Sequence, residues 1–174
     1  TIFGAAPGEL FVIRNVANIV PPFSIYSSDP NSTLAGTAAA LEFAVEHLRV
    51  SRILVMGHGK CGGVAAALGK AQNPDEPSHH DSGRFFIDQW VALMGEDSTN
   101  VLAENPNVGQ DRLQQLLEYK NIRRSVENVE AFPFVRKAVI EKRLSLHGAW
   151  FAIASAELFW MQDDGRFLPV EAQG

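Results

Sequence analysis

Residues 53–63, ILVMGHGKCGG, constrain most strongly what this chain can fold into. A short apolar run ends in a turn that contains four glycines, and a stretch of small residues, VAAALGKA, follows directly. Glycine lets the backbone turn sharply at such a junction. An apolar strand that passes through a tight turn into a helix is the repeating unit of parallel sheets with helical crossovers. The segment therefore predicts an α/β fold.

The rest of the chain supports that fold class. Apolar, β-rich runs predict strands at residues 10–14, 53–56, 144–153 and 166–170. Helical spacing of apolar residues predicts a helix over 33–48, capped by Ser32 or Thr33, and further helices around 85–94, over 109–130 and after Pro133. We expect a mainly parallel β-sheet flanked by helices, in a single domain that spans residues 1–174.

Composition excludes several classes of protein. The apolar fraction of 46% and the charged fraction of 20% are typical of a soluble globular domain. No apolar run approaches the roughly 20 residues that cross a bilayer, so we expect no membrane span. The net charge of -5, with no basic stripe, argues against nucleic-acid binding. Cys61 is the only cysteine, which excludes an intramolecular disulfide and suits a reducing, cytoplasmic location.

His58 and Cys61 carry the most informative chemistry, because they lie just past the end of a predicted strand. Open α/β sheets bind their ligands at that edge. Imidazole nitrogen and thiolate sulfur are zinc ligands, and three residues of spacing let both reach one ion. The start of the next helix adds partial positive charge, which favours a thiolate. By itself the pair has an equal alternative, namely a buried cysteine beside a structural histidine.

The same segment also matches the dinucleotide-binding fingerprint. Gly57, Gly59 and Gly62 spell G-x-G-x-x-G between a strand and a helix. That fingerprint requires a second strand that ends in an acidic residue about 20 positions further on. Here the window before Asp81 is the polar run NPDEPSHHDSG, with no apolar strand. Nucleotide binding is therefore disfavoured.

Several blocks in order give the sequence a resemblance to one family. FVIRNVANIVPP, LAGTAAALEFAVEHLRVSRILVMGHGKCGGVAAAL, FIDQWV, SVENVEAFPFVRKAVIEKRLSLHGAWF and ELFWM cover nearly all 174 residues. They resemble β-class carbonic anhydrases of the plant-like branch. The resemblance implies a zinc enzyme that interconverts carbon dioxide and bicarbonate, with hydroxide attacking carbon dioxide.

The resemblance also implies a zinc site that this chain supplies only in part. His58 and Cys61 match two of the three family ligands. The third is a cysteine in a Cys-x-Asp-x-Arg motif, which would lie upstream of Thr1 together with the family's catalytic Asp–Arg pair. The chain has no such motif and begins without methionine. We expect that the domain is N-terminally incomplete and that no catalytic residue lies within the chain.

A substrate pocket carries over from the family residue by residue. Phe11, Val16 and Phe43 match apolar wall positions around the carbon dioxide site, and Gly62 matches a position beside them. Many plant-like members have tyrosine where this chain has Phe43. A plain core role for the three apolar residues stays open. Family pockets include residues of a second subunit, so the resemblance implies a homodimer or a higher homo-oligomer.

Two other functions stay open on this fold. The same chemistry could hydrolyse carbon disulfide or carbonyl sulfide, since hydroxide attacks any heterocumulene. A degenerate, noncatalytic binding or scaffold protein would bind no zinc as a complete gene product.

The remaining polar candidates have weaker roles. His79 and His80 lie in a polar loop, where solvated side chains are favoured over a proton relay. Arg14, Asn15 and His147 are interpreted as structural. Trp150 and Phe151 depart from a glycine–aromatic pattern common in the family, so no family role is assigned to them.

Overall fold

A four-stranded sheet organises the fold in the computed structural model, which describes residues 2–28, 34–75 and 85–171. The strands lie side by side in chain order. β1 pairs with β2 in parallel, and the β2–β3 and β3–β4 pairs are antiparallel. The strands are β1 (Arg52–His58), β2 (Ser145–Ala152), β3 (Glu157–Met161) and β4 (Phe167–Pro169).

Helices account for most of the remaining described chain. Two short 3-10 helices, Val16–Asn18 and Ala92–Met94, accompany them. None of the helices in the described ranges is long and apolar enough to cross a membrane. The α-helices are α1 (Phe23–Ser28), α2 (Ala35–Glu42), α3 (Gly62–Gln72), α4 (Phe85–Val91), α5 (Gly95–Glu104), α6 (Gln110–Ala131) and α7 (Pro133–Ile140).

The predicted α/β class is confirmed, but the described sheet is mixed, with one parallel and two antiparallel pairings. The lengths of the connections explain the difference. Only a few residues join β2 to β3 and β3 to β4, and such short loops permit antiparallel hairpins alone. Helices α3–α7 separate β1 from β2, which leaves room for a parallel crossover.

The strand predicted over residues 10–14 is wrong in this structure. These residues take no regular secondary structure, and the side chains of residues 10–13 are 39–63% exposed. A strand needs a partner for its backbone groups, and within the described chain β1 pairs only with β2. The apolar run therefore lies unpaired, and the outer edge of β1 is open in the described residues.

Most other elements confirm the predictions. The helices over 85–94, over 109–130 and after Pro133 form, as do the strands around 53–56, 144–153 and 166–170. The helix predicted over 33–48 ends in a π-helical turn, Phe43–His47, where the Leu48 N–H donates to the Phe43 carbonyl. Its predicted caps, Ser32 and Thr33, lie outside the described residues. Helix α5 and strand β3 were not predicted.

Helix α6 packs against the sheet at two glycines on neighbouring strands. A Cβ atom on Gly57 would lie 2.8 Å from Ile122 Cδ1, and one on Gly148 would lie 3.0 Å from Ile122 Cγ2. Ile122 itself is fully buried in the apolar cluster between sheet and helices. The absence of side chains on β1 and β2 at these points thus brings α6 close to the end of β1, where His58 lies.

An ion pair with a buried carboxylate fixes α5 against α6. Asp97, whose side chain is only 4% exposed, accepts two hydrogen bonds of 3.1 Å from the Arg124 guanidinium. The hydrogen bond with Asp97 raises the pKa of Arg124. Arg124 also pairs with the exposed Glu127 at 3.2 Å. The two acidic partners of one arginine therefore differ in burial and in the number of hydrogen bonds that they accept.

We expect Arg124→Gln to lower the free energy of unfolding by about 2–3 kcal/mol, less than a fully buried pair would lose, because water reaches the arginine. Glu127→Gln is the matched control and should cost about 0–1 kcal/mol, as exposed ion pairs do. Urea unfolding of both variants is the measurement. Equal losses in the two variants would contradict the role given to Asp97.

Candidate metal centre

His58 is the last residue of β1, and its side chain is exposed. Its Nδ1 atom lies 3.0 Å from the carbonyl oxygen of Gly59. Because a carbonyl only accepts, this contact is a hydrogen bond when Nδ1 carries the proton, which leaves the Nε2 lone pair free. The Gly59 N–H donates to the Phe151 carbonyl at 2.9 Å and so extends the β1–β2 ladder. The histidine is thus held on ordered backbone.

Cys61 is the N-cap residue of α3 and is only 5% exposed. Its backbone N–H donates to Glu118 Oε1 at 3.0 Å, and its carbonyl accepts from Gln114 Nε2 at 3.1 Å. Lys60, immediately before it, has a left-handed backbone with φ of 59°. The turn therefore depends on side chains of α6 for its conformation.

The donor set of this turn fits a zinc site but does not complete one. His58 offers an imidazole nitrogen and Cys61 a thiol, both of which are zinc ligands. Over the described ranges, no three His, Cys, Asp or Glu side chains come together as a metal site. A third ligand would have to come from outside these ranges.

A second irregular segment, residues 16–20, packs against the same turn. Ala17 and Asn18 have left-handed backbones, with φ of 61° and 46°. Three polar side chains of α6 satisfy the backbone of this segment. Asn121 donates to the Ala17 carbonyl at 2.6 Å, Ser125 to the Asn18 carbonyl at 3.0 Å and Asn128 to the Val20 carbonyl at 2.7 Å; the Val20 N–H donates to Ser125 Oγ at 3.1 Å.

The predicted pocket residues fall into two places. We call residues 58–63, which hold the two candidate zinc donors, the metal turn. Val16 lies beside it, since its Cγ1 atom would be 2.7 Å from a Cβ atom on Gly63, whereas the space around Gly62 is open. Phe11 and Phe43 lie together with ring centroids 5.9 Å apart. All three apolar side chains are 46% exposed, so none is a plain core residue in this structure. Their role in substrate binding stays a prediction.

The other sequence candidates have mainly structural contacts. Asn15 donates to the Ile19 carbonyl at 2.8 Å, and Arg14 is exposed. His147 Nε2 lies 2.9 Å from Ser145 Oγ. His79 and His80 lie outside the described residues.

Trp150, at a position that departs from the family pattern, is buried and donates from its indole Nε1 to Glu118 Oε2 at 2.9 Å. Its ring packs edge-on against Tyr119, and burial raises the pKa of that tyrosine. On the exposed side of the turn, Lys60 forms an ion pair with Asp111.

The polar face of α6 that holds both loops was not predicted from the sequence. We call this face the polar stripe, and its members recur at spacings of three and four residues, as on one side of a helix. That periodicity, set among buried apolar neighbours, was the available signal. The polar stripe consists of Gln114, Glu118, Asn121, Ser125 and Asn128.

Comparison with known proteins identifies the family. A family model described as carbonic anhydrase matches residues 1–158. Fold, metal turn and sequence therefore agree, and the chain belongs to the β-carbonic anhydrase family.

Individual relatives show the extent of the similarity. The chain is 36% identical over 152 residues to "Beta carbonic anhydrase 5, chloroplastic" of Arabidopsis thaliana. The aligned region covers 86% of this chain and 45% of that protein. It spans about half the length of the curated relatives it matches.

Solved structures agree with this assignment. The β-carbonic anhydrase CcaA superposes with a TM-score of 0.82 at 25% identity, over 97% of this chain and 76% of that one. A structure from a study of two tetrameric β-carbonic anhydrases of Sordaria macrospora gives 0.71 at 28% identity, over 98% and 73%.

Gly63→Ala should destabilise the protein by about 1–3 kcal/mol, because the new methyl group would collide with Val16 and Ala17. Gly62→Ala, one residue earlier, meets no neighbouring atom and should be neutral or stabilising by up to about 1 kcal/mol. Chemical unfolding of the two variants side by side is the measurement. A neutral Gly63→Ala would show that the 16–20 segment does not rest on the turn.

Proposed function

We propose that the protein to which these residues belong catalyses the zinc-dependent, reversible hydration of carbon dioxide to bicarbonate and a proton. The observation that carries the proposal is the metal turn. It presents a histidine and a buried cysteine at the carboxyl end of β1, inside a family match that covers most of the chain. The curated relative from Arabidopsis carries the name of that activity.

His58 and Cys61 would hold the zinc, together with a third ligand from outside the described residues. Within the described residues the edge of β1 opposite β2 is unpaired, as are residues 10–14, and either could pair with a further strand. Two buried amide atoms nearby, Asn15 Oδ1 and Asn18 Nδ2, have no hydrogen-bond partner in the described structure. In the β-carbonic anhydrases that this sequence resembles, a strand at that place carries the Cys-x-Asp-x-Arg motif.

The chain's own residues would orient and shelter the reaction. Zinc, when bound, supplies Lewis-acid activation of water near neutral pH. The contact of His58 Nδ1 with Gly59 directs Nε2 away from the backbone, and the polar stripe holds the Cys61 turn. Phe11, Val16 and Phe43 would form apolar walls, which suit a small nonpolar substrate and exclude water.

We expect His58→Ala and Cys61→Ser to abolish carbon dioxide hydration by the complete gene product, because each removes a zinc donor. Stopped-flow hydration assays, with and without a chelator, measure this, and carbonyl sulfide and carbon disulfide serve as competing substrates. An active Cys61→Ser variant would contradict the proposed site. As a control, the 174-residue chain alone, with two donors among its described residues, should bind well under one zinc per chain.

We also propose that the protein is an obligate homodimer or a higher homo-oligomer. The apolar side chains of residues 10–13 and of Phe43 are 39–63% exposed, although such residues usually lie in a protein interior. They form a continuous candidate surface through the Phe11–Phe43 contact. The Sordaria macrospora neighbour is described as tetrameric.

Sedimentation of the folded protein at low micromolar concentration should give twice the mass of the 19.0 kDa chain, about 38 kDa, or a multiple of it, because obligate interfaces leave no stable monomer. Phe43→Glu should weaken this assembly, whereas the same change at the exposed Ile140 on α7 should not. A well-folded wild-type monomer would contradict the shared pocket.

A further inference from the structure

Glu118 is an acidic side chain in the interior, only 3% exposed, near the middle of α6. A carboxyl group taken out of water is costly unless hydrogen bonds replace its hydration. The Glu118 carboxyl group therefore needs hydrogen-bond donors from the surrounding protein.

Three donors from three parts of the chain converge on this carboxyl group. Its Oε1 atom accepts from the Cys61 N–H at 3.0 Å and from Gln114 Nε2 at 3.0 Å. Its Oε2 atom accepts from the Trp150 indole at 2.9 Å. The metal turn, helix α6 and strand β2 thus meet at one side chain.

The bond to Cys61 acts directly on the proposed ligand. The cysteine belongs to a turn that is irregular up to the start of α3 and includes the left-handed Lys60. Gln114 links Glu118 to the other side of the cysteine backbone, because its Nε2 atom also donates to the Cys61 carbonyl at 3.1 Å. The backbone N–H and C=O groups of Cys61 are therefore both hydrogen-bonded to side chains of α6.

The bond to Trp150 fixes the other side of the carboxyl group. A Cβ atom on Gly59 would lie 3.0 Å from Cζ2 of the indole, so the metal turn accommodates this ring only because residue 59 is glycine. The indole N–H then determines which carboxyl oxygen remains for Cys61.

We propose that Glu118 is the positioning residue of the metal centre: it holds the Cys61 backbone in the ligand conformation and is itself oriented by Trp150. The proposal rests on the zinc function put forward above, and it assigns Glu118 no contact with substrate or metal. Loss of a side chain that hydrogen-bonds to a metal-ligating residue and orients it weakens metal binding by about 10- to 100-fold.

Glu118→Gln tests the proposal in the complete gene product, with Glu130→Gln as the matched change on the exposed face of α6. Zinc affinity, measured by competition with a chelating dye, should fall about 10- to 100-fold in the first variant and not in the second. Alkylation of Cys61 by iodoacetamide in metal-free protein, followed by peptide mass spectrometry, should accelerate only in Glu118→Gln.

Trp150→Phe provides a second, milder variant, because it removes one donor and keeps an aromatic ring in the core. In Glu118→Gln the amide NH₂ would face the indole N–H, a conflict between two donors. The double variant Glu118→Gln/Trp150→Phe should therefore bind zinc more tightly than Glu118→Gln alone. A purely structural role does not produce such a rescue of metal affinity.

Two results would overturn the proposal. One is unchanged zinc affinity and alkylation in Glu118→Gln, whether or not its melting temperature falls. The other is an equal loss of zinc affinity in Glu130→Gln. If the wild-type protein bound no zinc, the proposed function would fail, while the alkylation rates would still decide whether Glu118 holds the turn.

Discussion

Two irregular, partly buried loops depend on one helix face for their hydrogen bonds. Backbone N–H and C=O groups removed from water must find partners, and neither the 16–20 segment nor the turn at Cys61 can supply them internally. The polar stripe of α6 provides them through amide, hydroxyl and carboxyl groups. The relative position of the 16–20 segment and the Cys61 turn is therefore set by the spacing of polar side chains along a single helix.

The close approach of that helix depends in turn on residues without side chains. Gly57 on β1 and Gly148 on β2 let Ile122 pack closely against both strands, and Gly63 lets Val16 pack closely against the start of α3. A helix held farther away would leave the buried carboxyl and amide groups of the polar stripe short of their partners. The apolar contacts of Ile122 with the sheet and the hydrogen bonds of the polar stripe thus both require the same short distance between α6 and the sheet.

Local patterns predicted the parts of the molecule that depend on local interactions. The β1 strand, the glycine turn and α3 are encoded by adjacent residues, so His58 and Cys61 could be placed together from the sequence. The strand at 10–14 was wrong, because strand formation needs a partner that apolar composition cannot reveal. Glu118 was missed for a related reason: its bond to Cys61 joins residues 57 positions apart.

That separation along the chain also bears on the order in which the protein matures. The segment up to Cys61 is synthesised well before α6, and contacts between distant residues form only after the intervening loop closes. Until α6 docks, the cysteine has no carboxyl group to hold its backbone, and Trp150 arrives later still along the chain. In the proposed zinc site, the ligand conformation of Cys61 thus depends on contacts with residues that are synthesised long after the cysteine itself.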